Sequence, residues 1–127
     1  MTTECTFRFA SNNVRRLIQR HSIAIGHATS YPCAIALPEG VWTIDRIHCD
    51  PPVRGMIFLR NLSLNHVPIA PYQTDTVNLN NYGKNWPYVR DGIFRHEIVI
   101  TDRIPFLFGR GGLYCFELNV VVKRLGG

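Results

Sequence analysis

From Leu113 to Leu125 the chain alternates, with Tyr114, Phe116, Leu118, Val120 and Val122 on one side and Cys115, Glu117 and Asn119 on the other. A period of two belongs to an extended strand with one apolar and one mixed face. The pattern recurs upstream. Cys5, Phe7 and Phe9 alternate with Thr6 and Arg8, predicting a strand over 4–9. Val41–Cys49 and Ile93–Ile100 read the same way, and Cys33–Leu37 is a short apolar strand. The run at 55–64, GMIFLRNLSL, is apolar on both faces in its first half, which predicts a central or covered strand. Pro38-Glu39-Gly40 supplies a turn, Pro51-Pro52 ends a strand because neither proline can donate to a ladder, and Gly109 to Gly112 turn the chain into the last strand.

Two stretches depart from this pattern. Between Ser11 and His21 the apolar positions Val14, Leu17 and Ile18, followed by His21, fall at i, i+3, i+4 and i+7. That spacing predicts one short helix near residues 11–21, capped by Ser11 or a neighbouring Asn, with extended chain returning at Ile23 and Ile25. From Val67 to Gly92 the composition shifts to Asn, Pro, Tyr and Gly, leaving one strand near Thr74–Leu79 and an irregular segment after it. A segment of that length in a compact domain is functional or packed by its own aromatics.

Seven or eight strands and at most one helix in 127 residues predict a single all-β domain spanning residues 1–127. Antiparallel strands of this number close into a sandwich to remove exposed edges, so the expected architecture is an antiparallel β-sandwich of the eight-stranded jelly-roll kind. An immunoglobulin-like sandwich is disfavoured because no Cys, Trp, Cys arrangement has the required layout.

Charge adds a second theme. The net charge is +5, and the cations are twelve Arg against two Lys, Lys84 and Lys123. Guanidinium forks suit fixed contacts to carboxylates, phosphates or carbonyls, so the bias favours interfaces over bare solvent; the base composition of the source genome produces the same bias. Arg8, Arg15, Arg16 and Arg20 lie close together in sequence and keep nucleic acid as a possible but disfavoured partner. No apolar stretch is long enough to span a bilayer, and MTTECTFRF lacks signal-peptide organisation, which predicts cytoplasmic synthesis.

Candidate chemistry is sparse. Cys5, Cys33, Cys49 and Cys115 show no CxxC pair and are expected to be reduced, with Cys5 and Cys115 acting as small buried hydrophobes. Histidines stand at 21, 27, 48, 66 and 96, but His48 with Cys49, and His96 with Glu97, are strand neighbours that point to opposite faces. No metal, cofactor or catalytic residue is expected. GRGG at 109–112 has no following helix and no Gly-Lys-Ser/Thr ending, so it reads as a hairpin turn. Tyr72, Tyr82, Trp86 and Tyr88, interleaved with Asn and Asp, offer stacking faces and directional bonds for a sugar or a protein surface. With Arg90, Arg15 and Arg16 they form the expected interface set, and Trp86→Ala is expected to weaken assembly while leaving the monomer folded.

The ending VVVKRLGG resembles the tail of ubiquitin-like modifiers, a family in which the terminal glycine, here Gly127, is conjugated and the fold is a β-grasp. LPEGVWTIDRI, residues 37–47, resembles segments of viral structural proteins. The leading expectation is a non-enzymatic structural protein, a capsid or virion component that forms a homo-oligomer or binds other structural subunits and resides in the virion. The alternative is a carbohydrate- or ligand-binding sandwich using residues 72–92. A di-glycine-tailed ubiquitin-like modifier is a remote alternative.

Overall fold

A computed structural model describes residues 2–11, 13–24, 28–50, 55–70, 74–75, 86–101 and 112–125, with residues 2–11, 70 and 74–75 described by backbone alone. Ten strands run in chain order: β1 (Thr2–Ser11), β2 (Val14–Ala24), β3 (Thr29–Ala36), β4 (Val41–Asp50), β5 (Ile57–Leu64), β6 (Val67–Ala70), β7 (Thr74–Asp75), β8 (Val89–Arg90), β9 (Ile93–Ile100) and β10 (Leu113–Arg124). They form two antiparallel sheets packed as a β-sandwich. One has the order β1-β2-β10-β4 with the short β8 beside β4; the other has the order β3-β9-β5-β6 with the short β7 also on β5.

The core lies where the alternating faces meet. β10 contributes Tyr114, Phe116, Leu118, Val120 and Val122, each at most 2% exposed, as its period of two requires. Facing them, β9 contributes Phe94, Ile98 and Ile100, and β5 contributes Ile57, Leu59, Leu62 and Leu64. β5 is a central strand, with β9 along one side and β7 and then β6 along the other. Asn119 and Val121 are buried on the other side of β10, consistent with a strand flanked along its length by β2 and β4.

The helix expected near 11–21 is instead strand β2, paired to β1 on one side and to β10 on the other. Its inward positions are Leu17, Gln19, His21 and Ile23, and Ile18 on the opposite face is also buried. Two polar side chains on the inner face broke the apolar alternation, and the buried Ile18 completed a false helical spacing. Strand ends also move: β1 and β3 start earlier than the sequence pattern indicates, and 76–79 of the expected strand at Thr74–Leu79 lie outside the described residues. Cys115 is exposed rather than buried, since it lies on the outer side of β10 with its Sγ 3.1 Å from Ser22 Oγ. Cys33, Cys49 and Cys115 are thiols rather than disulfides, and the Cys5 side chain lies outside the description. The one-sheet, one-helix plan of a β-grasp is not what the described residues form.

Strand pairing is nested. β5 pairs with β6, β4 with β8, β3 with β9 and β2 with β10, each pair enclosing the previous one in sequence. At one corner three connections are pinned together: Leu37 N donates to Gly92 O at 2.9 Å, Asn65 N donates to Ile93 O at 3.1 Å, and Ile93 N donates to Asn65 Oδ1 at 3.1 Å. Glycine is required there, because a Cβ on Gly92 would collide with Val89 Cγ2.

Candidate functional site

The described members of the expected interface set take different environments. Tyr72 and Tyr82 lie outside the described residues. Trp86 is 7% exposed and packs in the core, its ring 5.9 Å from that of Phe94, while its carbonyl accepts a bond from Thr43 Oγ1 at 3.0 Å. The expectation that Trp86→Ala leaves the monomer intact does not suit that position. Tyr88 is 42% exposed, and Arg90 is exposed with its backbone paired to Val41. Arg15 and Arg16 lie across β10 and β4 from them, and as strand neighbours they point to opposite faces. The Arg15 guanidinium lies 5.1 Å from the centre of the Trp42 ring, a cation–π contact, whereas Arg16 Nε donates to Asn119 Oδ1 at 2.6 Å.

Sequence reasoning missed a buried polar chain between the sheets. Gln19 Nε2 donates to the Ala34 carbonyl at 3.4 Å, which leaves Gln19 Oε1 to accept from His21 Nε2 at 2.8 Å. Neutral His21 then carries its proton on Nε2, so Nδ1 accepts from Tyr31 OH at 2.9 Å. The His21 ring stacks on Phe116 at 4.9 Å, and burial holds its pKa down at about 4. Burial, then the two nearby thiols of Cys33 and Cys49, push the Tyr31 hydroxyl well above its ordinary value. His96, 2% exposed, stacks on Phe94 at 4.7 Å, and neither ring nitrogen has a well-formed hydrogen bond among the described residues. Burial first, then the charge of His21, bring its pKa down to about 3, against an upward pull from the Phe94 backbone. The sequence signal for this chain was present, since Gln19 and His21 occupy successive inward positions of a strand.

The outer face of the β3-β9-β5 sheet carries a shallow depression of about 490 Å³ beside the bulge at Asn61. Glu97 sits in it, accepting from Arg60 Nη2 at 2.7 Å and from Asn61 Nδ2 at 2.5 Å. Those two bonds, Arg60 first, hold its carboxyl below the ordinary range, so Glu97 is a fixed anion with both oxygens engaged. This suits anchoring the bulge rather than moving a proton.

The outer face of the opposite sheet is mixed in charge. Arg20 Nε meets Glu117 Oε2 at 2.9 Å, and Lys123 Nζ lies 3.6 Å from Asp45 Oδ1. His48 is held below its ordinary pKa by burial first and then by Arg16 and Arg46, with Asp50 opposing. At the margin of this sheet lies β1, a ten-residue strand whose sole partner among the described residues is β2. Among the described residues there is no group of three or more His, Cys, Asp or Glu side chains placed to hold a metal ion, and no helix long and apolar enough to cross a membrane. Comparison of the chain with known protein families, curated proteins and solved structures finds no match.

Proposed function

We propose that this chain is a jelly-roll building block that acts without catalysis, by assembling with further copies of itself or with other structural subunits, in the manner of a capsid or virion component. The nested pairing of β2 with β10, β3 with β9, β4 with β8 and β5 with β6 is the pairing of a jelly-roll, and it supports that topology. Jelly-rolls serve in capsids and in lectins, so topology alone leaves the activity open. The observation that carries assembly is β1. It adds a ten-residue strand outside the nested set, at a sheet margin where its second edge is unpaired among the described residues, and a long strand edge of that kind is a template for another chain.

Multi-angle light scattering over a dilution series tests this reading. Assembly predicts a mass of two or more chains at micromolar concentration that falls on dilution. A single-chain mass at every concentration would remove self-assembly.

A second reading, the carbohydrate- or ligand-binding sandwich, is favoured by one observation, the exposed Tyr88 ring at the β8 margin. Glycan-array binding that Tyr88→Ala abolishes would select it.

A further inference from the structure

We infer that β1 is the assembly contact, pairing antiparallel with β1 of a second copy about a two-fold axis through Thr6. The inference rests on the assembly reading and names its partner and register. The other margins of the two sheets are managed: β3 carries Pro32 and β6 carries Pro68, while β7 and β8 are two residues long. β1 runs ten residues, TTECTFRFAS, with no proline.

The sequence of β1 selects one register. A two-fold contact between identical antiparallel strands pairs residue i with residue j such that i + j is constant. The sum must be even, because an odd sum sets the core-facing side of one strand beside the outer side of its neighbour. Centring on Glu4 or on Arg8 opposes like charges, and centring on Cys5 or on Phe7 leaves both ions without a counter-ion across the strand. Centring on Thr6 sets Glu4 of each copy opposite Arg8 of the other, and does so twice.

The register of β1 on β2 favours the same choice. Within one chain Arg8 is in register with Arg16, a like-charge pairing across β1 and β2. Glu4 is in register with Arg20, which already holds Glu117 at 2.9 Å. Pairing β1 with its copy places an anion in register with Arg8 on the edge that is unpaired among the described residues, and gives Glu4 a second cation in register. It also joins the two sheets into one continuous sheet with matching faces, a closed isologous contact. A contact made along one strand is smaller than the standard interface of roughly 1,600 Å², so the dimer is expected to respond to dilution.

The test is charge exchange in the full chain, read by light scattering with far-ultraviolet circular dichroism to verify folding. Glu4→Arg and Arg8→Glu, each alone, place like charges opposite one another at both symmetric positions and should weaken dimerisation about tenfold or more. The double exchange E4R/R8E restores opposite charges and should recover the wild-type mass. If either single variant unfolds, Thr6→Cys in a Cys5→Ser background decides: thiols introduced on the axis lie within disulfide reach, and peptide mapping after mild oxidation should find the β1 peptides of two copies joined through that position. A wild-type oligomer indifferent to both exchanges, without the cross-link in the Thr6→Cys variant, overturns the β1 contact and leaves assembly standing. A wild-type monomer at all concentrations overturns both the β1 contact and self-assembly.

Discussion

His21 and His96 are each at most 2% exposed, and they differ in one respect that decides what each does to stability. His21 is bonded at both nitrogens, to Tyr31 and to Gln19, whereas His96 stacks on Phe94 and neither of its nitrogens has a well-formed hydrogen bond among the described residues. Both titrate well below an unfolded histidine, at about 4 and about 3 against 6.5. The folded state therefore binds fewer protons than the unfolded chain once the pH falls below 6.5, so their contribution is whole above that value and is lost progressively toward pH 4 and pH 3. Between pH 7 and pH 5 the two together should lower stability by about 4 kcal/mol. Urea unfolding at both pH values measures this. His96→Phe removes two buried nitrogens that have no well-formed hydrogen bond among the described residues, and it should leave stability at pH 7 unchanged or higher, while roughly halving the loss at pH 5. His21→Phe should lower stability at pH 7 by about 2 kcal/mol or more, because it removes the ring nitrogens that bond the Gln19 oxygen and the Tyr31 hydroxyl. Equal acid sensitivity in wild type and His96→Phe would remove His96 from this account.

At the scale of elements, burial separates packing residues from contact residues. Trp86 lies in the short stretch before β8 yet fills core space against Phe94, so Trp86→Ala should cost about 3 to 5 kcal/mol of stability in chemical denaturation. Tyr88→Ala, two residues on and 42% exposed, should cost less than about 1 kcal/mol. A fold indifferent to Trp86→Ala would restore that residue to the contact surface. Sequence made β9 and β10 plain, since every inward position there but His96 is apolar or aromatic. It concealed β2, because Gln19 and His21 are buried through partners contributed by β3, and no local period announces a partner on another strand. Composition alone also grouped Trp86 with Tyr88, and Arg15 with Arg16. Their separation depends on which side of a strand each takes, and for Trp86 on a β9 neighbour that lies beyond any local pattern.

Across the whole molecule, nesting orders the contacts by the length of chain each must close. β5 meets β6 with Leu64 opposite Val67, whereas β2 meets β10 with Val14 opposite Lys123. Loop-closure entropy makes the inner pair accessible first and the outer pair last, and a fold dominated by such long closures refolds slowly, on the millisecond-to-second scale. Leu64 and Leu118 are both fully buried, the first beside the innermost turn and the second on β10 between β2 and β4. Truncating either to alanine should cost about 2 to 5 kcal/mol at equilibrium. The kinetic partition should differ. Leu64→Ala acts on contacts formed early and should slow refolding, whereas Leu118→Ala acts on contacts formed last and should mainly accelerate unfolding. Stopped-flow chevrons of the two variants measure the partition directly. Slowed refolding in Leu118→Ala, with Leu64→Ala changing only the unfolding limb, would mean that the strands most distant in sequence come together first, and that the nested order is a property of the finished fold rather than of its assembly.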